Sequence, residues 1–589
     1  MYQTNSFSRP AKPRIPPKHG NFQYNFCKNP NCSNYGVEPS SESPKGKGYS
    51  DNYIISSAGK DFPVLRCKSC GEMPPLKSNI GIAEEVERIS AYLVGGKDEA
   101  APSCPQASCS NYGVALGTKK AYRSFGKAAS GAKRYQCAAC GKTFSVAKPT
   151  KGQHHTSHNI EIFNLLANKV PLSRIINITG ISWAVLYRRI DFIHRQCLAF
   201  AANRERRLKD MPIEKLYLSI DRQDYEVNWT ERKDKRNVVL SAVASADNST
   251  GYVFGIHPNF DYALDKDAIE QDAALINDST NKEPFRKYAR LWLESDYERR
   301  DIELKRRAAG NLADSIVKTY EEAEQRSDVE AFDMKTEGRK LPNYGLQVKA
   351  EYTMIAHFHF LKNLMGGVGK WRFFMDQESG IRSACLGAFK DEIKERKAEA
   401  FYVKIEKELT VDEKRKLKAE AKKVFDTVMA ESPHMTEEEA KLEMLKREIA
   451  RVLTLGRWKD KWVRHPLPSM SESNKYMCWL TEHDDFDLEH KAWLYNKASL
   501  HGVDSFFQKI RRRVSMFERP IHSSSNAGRT WNGYAAYNPA MVVKLLEIFR
   551  VVHNYIDFRK VGGEKSTPAT RLGLAKAPLD YKDILYFEG

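Results

Sequence analysis

Eight of the chain's 11 cysteines fall between Cys27 and Cys140, and they recur in one arrangement. Cys27-Lys-Asn-Pro-Asn-Cys32 is followed by Ser-Asn-Tyr-Gly-Val and then by Cys67-Lys-Ser-Cys70-Gly. Cys104-Pro-Gln-Ala-Ser-Cys109 is followed by the same Ser-Asn-Tyr-Gly-Val and then by Cys137-Ala-Ala-Cys140-Gly. Each set offers four thiolates as two close pairs, the donor set that one tetrahedral zinc ion takes. A redox Cys-x-x-Cys would not need the upstream pair. Disulfides are disfavoured because the first twenty residues carry no apolar stretch after their basic residues, which predicts a cytoplasmic, nucleoid-associated protein. Cys197, Cys385 and Cys478 are scattered and read as core residues.

Both cysteine sets resemble zinc ribbons, small domains whose metal replaces a core they are too short to build. Their setting is basic. Of the net charge of +19, Met1–Asp210 carries 31 Lys+Arg against 14 Asp+Glu, and Ala100–Ile160 contains no acidic residue. A concentrated positive field favours a polyanion, because each cation that meets a phosphate releases condensed counterions. DNA is therefore the expected partner, with Lys119, Lys120, Arg123, Lys127, Lys133 and Arg134 beside the second ribbon as candidate contacts. No apolar run approaches the roughly 18–20 residues of a membrane span, so no membrane partner is expected.

A second DNA-binding element follows. Residues 158–200 read as three helices, in which Pro171 suits a first helical turn, Gly180 a tight turn and Ser182 an N-cap. The pattern fits a helix-turn-helix whose last helix presents Ser182, Trp183, Tyr187, Arg188 and Arg189 to a major groove. A plain helical hairpin with solvated arginines is the simpler alternative.

Carboxylates are the other residues able to do chemistry. After Met211-Pro212 the pattern turns to strands: Lys215–Ile220 ending in Asp221, then 237–244, a turn at Asp247–Gly251, and 252–256. Lys370–Met375 ends in Asp376 and precedes a helical stretch, and Ala400–Ile405 returns as a strand. Asp296, in a charged helical setting, is the competitor for Asp376. Glu518, expected on a helix and flanked by Arg511, Arg512, Arg513 and Arg519, is the third acid, with Glu547 as alternative. His357 and His359 alternate as on a strand or line one face, and read as structural or substrate-side, with metal ligation the lesser alternative.

Three strands with short connections, the first bearing a carboxylate, look like the opening of an RNase H-like sheet. Asp221, Asp376 and Glu518, with the tail His553-Asn-Tyr-Ile and the later Thr567-Pro-Ala, resemble the DDE transposases of bacterial insertion sequences. The resemblance covers about 157–578, departing in a long Asp221–Asp376 spacing and in insertions near 262–366 and 411–491, the latter read as mostly helical. It implies an α/β, RNase H-like catalytic core at 209–558 with helical insertions. Zinc ribbons at 1–80 and 81–150, a helix-turn-helix domain at 151–208 and a tail at 559–589 complete the arrangement.

The resemblance also implies a chemistry. Asp221, Asp376 and Glu518 would hold two magnesium or manganese ions about 3.5–4 Å apart, Asp221 bridging both. Water would attack at an element's end, and the freed 3′-hydroxyl would attack target DNA. An enzyme that handles two DNA ends is expected to be a homo-oligomer. A zinc-containing DNA-binding regulator without catalysis, and a structure-specific nuclease on the same fold, are the other readings.

Overall fold

Asp221 lies near the middle of Ile213–Val227, a strand whose residues 218–221 are all buried. A computed structural model describes residues 13–587, except 42–50, 58–61, 95–102, 298–338, 407–408, 456–459, 484–485, 519–530 and positions 113, 115, 117, 119, 130–131, 147–148, 151, 155, 232, 235 and 532. The chain is mixed α/β and divides into two units: residues 1–86, 261–359 and 370–500, and residues 87–260, 360–369 and 501–589.

The second unit contains the Asp221 strand as the first of an antiparallel meander. It pairs with Val238–Asp247 from Leu218↔Asp247 through Asp221↔Ala244 to Val227↔Val238, and that strand pairs with Val253–Pro258. The turn between the last two is closed by Asp247, whose carboxylate accepts from Thr250 N at 2.8 Å and Thr250 Oγ1 at 2.6 Å; Gly251 takes the left-handed backbone there. The helix His501–Arg513 lies on the first two strands. Its Val503 N donates to Ser219 Oγ and its Gly502 N to Asn248 Oδ1, both at 2.9 Å. A Cβ at Gly502 would sit 2.7 Å from Asn248 Oδ1, so the close approach requires glycine.

The outer side of the Val253–Pro258 strand is met by side chains. Asn554, on the helix Pro539–Tyr555, accepts from Val253 N and donates to Val253 O, both at 2.9 Å. Arg88 reaches the carbonyls of Pro258 and Phe260 at 3.0 Å. Arg550, on the same helix as Asn554, is buried and bonds Glu205 Oε1 and Glu547 Oε1 at 2.5 Å, with the Val253 and Phe254 carbonyls at 3.3 Å. Tyr92 and Tyr252 donate to the same Glu205 at 2.6 Å. Burial pushes the Glu547 carboxyl up, against the opposing pull of Arg550.

The expected three-helix element comprises His158–Leu166, Leu172–Thr179 and Trp183–Glu205. Gly180 is left-handed at φ 68°, and Ser182 caps the last helix by accepting from Val185 N at 3.4 Å. Pro171 is the residue just before its helix, with extended backbone, rather than a member of the first turn.

The first unit contains a mixed sheet. The Val368–Asp376 strand runs parallel to Ala398–Ile405, in register from Trp371↔Ala398 to Asp376↔Val403. Parallel pairing demands a crossover, supplied by the helices Ser379–Ala388 and Lys390–Lys394. Ala398–Ile405 then pairs antiparallel with Lys475–Trp479, which continues to Asp460–Arg464 and Leu453–Leu455. Helices make up most of what is described of residues 411–491, but strands are present as well. The segment holds the helices Val411–Glu431 and Glu437–Ile449, with capping boxes at Thr410/Glu413 and Thr436/Glu439, and also three strands that extend the sheet. The buried run Met477-Cys478-Trp479 favours a strand, whereas the charge run Asp412-Glu-Lys-Arg-Lys lies on an outer helix face. His357 and His359 sit on the helix Ala350–Leu364, not on a strand; His357 is buried and His359 meets the Phe22 ring edge-on at 5.1 Å. Among the described residues no helix is long and apolar enough to cross a membrane.

Removing the cation from between Glu205 and Glu547 would leave two buried carboxylates without their partner. Arg550→Met should therefore lower stability by about 3–5 kcal/mol, read as a lower urea midpoint at unchanged slope. An unchanged midpoint would contradict this account.

Candidate metal centres and basic surfaces

The four cysteines of each set converge. Cys27 and Cys70 Sγ are 3.5 Å apart and Cys32 and Cys67 Sγ 3.7 Å; in the second set Cys104 and Cys140 are 3.4 Å apart and Cys109 and Cys137 3.6 Å. All four sulfurs of each set lie within 4.8 Å of one another. Disulfide sulfurs would be about 2.05 Å apart, whereas a zinc ion with bonds of about 2.3 Å sets tetrahedron edges near 3.8 Å. The sulfurs match the second geometry, so each tetrad can hold a structural zinc ion. In each, one thiol is already acidic. A hydrogen bond with Cys27 holds Cys70 down to about 5. Against desolvation, which raises it, the Cys140 and Ala139 amides hold Cys137 down to about 6.

The repeated Ser-Asn-Tyr-Gly-Val has a physical role that cysteine spacing does not reveal. Asn34 donates its backbone N–H to Cys32 Sγ and its side-chain N–H to Cys67 Sγ, both at 3.4 Å. Asn111 does the same to Cys109 at 3.4 Å and Cys137 at 3.3 Å. One asparagine per tetrad thus ties the upstream cysteine pair to the downstream one. A tyrosine closes the other side. The Tyr53 hydroxyl accepts from Cys27 N and lies 2.9 and 2.6 Å from the Asn34 and Val37 carbonyls; Tyr122 repeats this with Cys104 N, Asn111 O and Val114 O. Each tyrosine starts a ribbon strand, Tyr53–Ser57 or Tyr122–Lys127.

The two ribbons differ in what surrounds them. The first is built into its unit. Tyr35 Oη donates to Leu386 O at 2.7 Å, Tyr24 Oη to Ser383 O at 2.9 Å, and the Tyr24 ring leaves no room for a Cβ at Gly387. Glu72, buried beside Cys27, bonds Arg382 at 3.3 Å and Lys28 N at 2.5 Å. In the second ribbon Tyr112 and Phe125 are exposed, as are Lys120, Arg123, Lys127 and Lys133. The Arg134 guanidinium lies over the Phe125 ring at 5.6 Å. Lys119 falls outside the described residues.

On the three-helix element, Ser182, Trp183, Tyr187 and Arg188 are exposed, and Trp183 stacks on Tyr187 at 6.0 Å. Arg189 is not part of that surface: it is buried and donates to His154 O, because the i+1 position turns toward the first helix.

The candidate carboxylates take distinct positions. Asp221 is buried and its Oδ1 accepts from Arg222 N at 2.7 Å. Asp376 is the last residue of its strand, with Gln377 N on its Oδ1 at 2.9 Å. Glu518 is not on a helix. The arginine-rich helix ends at Arg513, one 3-10 turn follows at Ser515–Phe517, and Glu518 is extended, two residues before Pro520. Its carboxylate pairs with Lys169 at 2.8 Å, and Phe517 meets the ring of Tyr225, four residues past Asp221, at 4.9 Å. The alternatives are engaged by arginines: Asp296 pairs with Arg286 at 2.5 Å and Glu547 with Arg550. Among the described residues, the groups of three or more potential metal ligands that close to within 4.8 Å are the two cysteine tetrads. No model of a known protein family matches the chain, and no curated protein matches it in sequence.

The purified chain should carry two zinc ions, falling to one in Cys32→Ala or Cys109→Ala, by elemental analysis. Asn34→Ala and Asn111→Ala should each weaken zinc retention in their own tetrad about 10–100-fold against a competing chelator. Retention equal to wild type in both would remove the role given to these asparagines.

Proposed function

We propose that the chain is a DNA transposase of the DDE type, which binds element ends and catalyses metal-dependent strand cleavage and strand transfer. The observation that carries this reading is the setting of two carboxylates. Asp221 is sunk in the first strand of an antiparallel meander, and Asp376 ends a strand that a helical crossover joins to a parallel neighbour. Both are arrangements expected of an RNase H-like core. Glu518, on the segment after the helix that covers the Asp221 strand, completes the proposed triad.

The donor chemistry separates the metals. Thiolates suit zinc, and the carboxylate oxygens of Asp221, Asp376 and Glu518 suit magnesium or manganese. Ions held there supply charge stabilisation to the attacking and leaving oxygens of a phosphodiester. The protein's own part is to bind and orient DNA. The exposed Lys120, Arg123 and Lys133 of the second ribbon, with the half-buried Arg134, would neutralise backbone phosphates, and Ser182, Tyr187 and Arg188 would enter a major groove. Arg511, held at 2.8 Å by Gln223 two residues past Asp221, is poised to meet a phosphate near the carboxylates. Handling two DNA ends calls for at least two copies of the chain.

The test is cleavage and joining of labelled element ends with magnesium. Asp221→Ala, Asp376→Ala and Glu518→Ala should each lose both activities, by at least about 100-fold, while keeping DNA binding. Cleavage without joining in the wild type would instead indicate a nuclease. Binding without cleavage, under manganese as well, would indicate a regulator.

A further inference from the structure

A polar cavity of about 560 Å³ lies in the second unit, and none of the proposed catalytic carboxylates is among its lining residues. Its walls are the Asn248–Gly251 turn, one side of the helix His501–Arg513, the end of the helix Pro539–Tyr555, and the C-terminal hairpin Arg559–Val561/Glu564–Ser566. Four cations line it, Lys509, Arg513, Arg559 and Arg571, against one carboxylate, Asp557.

The cations are held in place largely by neutral groups, with Asp557 the one carboxylate among the lining residues. Arg571 Nε donates to Thr250 O at 2.8 Å and its Nη1 to Ser566 O at 3.2 Å. Arg513 donates to Ala167 O at 3.1 Å and Asn168 Oδ1 at 2.9 Å, and shares Asp557 with Lys509, which lies 3.8 Å from that carboxylate. His553 is fixed as a neutral acceptor. Its Nε2 donates to Gly251 O at 3.0 Å, which leaves Nδ1 to accept from the Lys509 ammonium at 3.3 Å. Burial, with Lys509 alongside, keeps that imidazole at about 3. Arg559 forms no ion pair among the described residues. Burial and the crowding of Arg513, Arg571 and Arg559 both act to lower Lys509, a strain that a bound anion would relieve.

We infer that this cavity is a binding site for a phosphate group, carried on a ligand of about nucleotide size. Guanidiniums fixed by backbone carbonyls present their remaining N–H groups as a preformed fork, the geometry that meets phosphate oxygens two at a time. The volume lies within the range of about 300–1,000 Å³ of small-ligand sites, so a bare ion would fill only part of it. The phosphate can come from a nucleic-acid strand or from a free phosphate compound; the chemistry of recognition is the same. The inference is independent of whether Asp221, Asp376 and Glu518 cut DNA.

The test is calorimetric titration of the zinc-loaded full chain with inorganic phosphate at constant ionic strength, repeated with Arg559→Gln and Lys509→Gln. One saturable site is expected, weakened about tenfold in each variant. Arg559→Gln should leave the thermal midpoint unchanged, because that side chain has no hydrogen bond or ion pair among the described residues. Competition with hexathymidylate then separates the sources. Displacement of phosphate by the oligonucleotide assigns the site to a strand, and phosphate binding undisturbed by it assigns the site to a free phosphate compound. The absence of saturable phosphate binding, or equal affinity in wild type and both variants, would overturn the inference.

Discussion

Four segments far apart in the chain meet at the buried guanidinium of Arg550. It reaches Glu205 at the end of the long helix Trp183–Glu205, Glu547 one turn back on its own helix, and the carbonyls of the Val253–Pro258 strand. Tyr92 joins through Glu205. A charge in such surroundings is tolerable only when fully paired, since an isolated buried ion loses its hydration without replacement. The network therefore accepts one assembly of these segments. The meander, the three-helix element and the C-terminal helix are positioned together, and the helix His501–Arg513 with its cation-lined cavity is positioned with them.

The ribbons illustrate how a duplicated unit can diverge while its metal geometry stays constant. The sulfur distances, the bridging asparagine and the closing tyrosine are the same in both. What differs is the outward face. In the first, Tyr24, Tyr35 and Glu72 reach Ser383, Leu386 and Arg382, so aromatic and charged groups are spent on its own unit. In the second, the equivalent of Tyr35 is Tyr112, which is exposed, and the strand Tyr122–Lys127 shows nearly all its side chains to solvent. One cysteine tetrad is tied into its own unit, while the other carries a basic, aromatic surface.

Much of this was legible in the residues. Cysteine spacing identified both tetrads, because few chemistries need four thiolates in two close pairs. Gly180 and Ser182 marked the boundary between the second and third helices of residues 158–205, since left-handed backbone and N-caps have strong local residue preferences. The strands bearing Asp221 and Asp376 followed from short apolar runs. What eluded the sequence depends on long-range contacts. Arg189 reads like Arg188 until the helix phase is set by packing. His357 and His359 alternate like strand residues but lie on a buried helix, where apolar residues all round erase the helical period. The strands within 411–491 are only 3–5 residues long and sit beside strongly helical charge runs. The cavity was not visible at all, because its cations come from three separate elements.

The side chains along the Val253–Pro258 strand have a consequence for how the protein behaves in a crowd of its own copies. The outward backbone groups of such a strand are normally an invitation for another chain to add itself by main-chain pairing. Here Asn554 occupies both the donor and the acceptor of Val253, Arg550 covers the Phe254 carbonyl, and Arg88 takes those of Pro258 and Phe260. That strand is closed to templated growth by side chains instead of by a further strand, so main-chain pairing of a second copy along it is blocked.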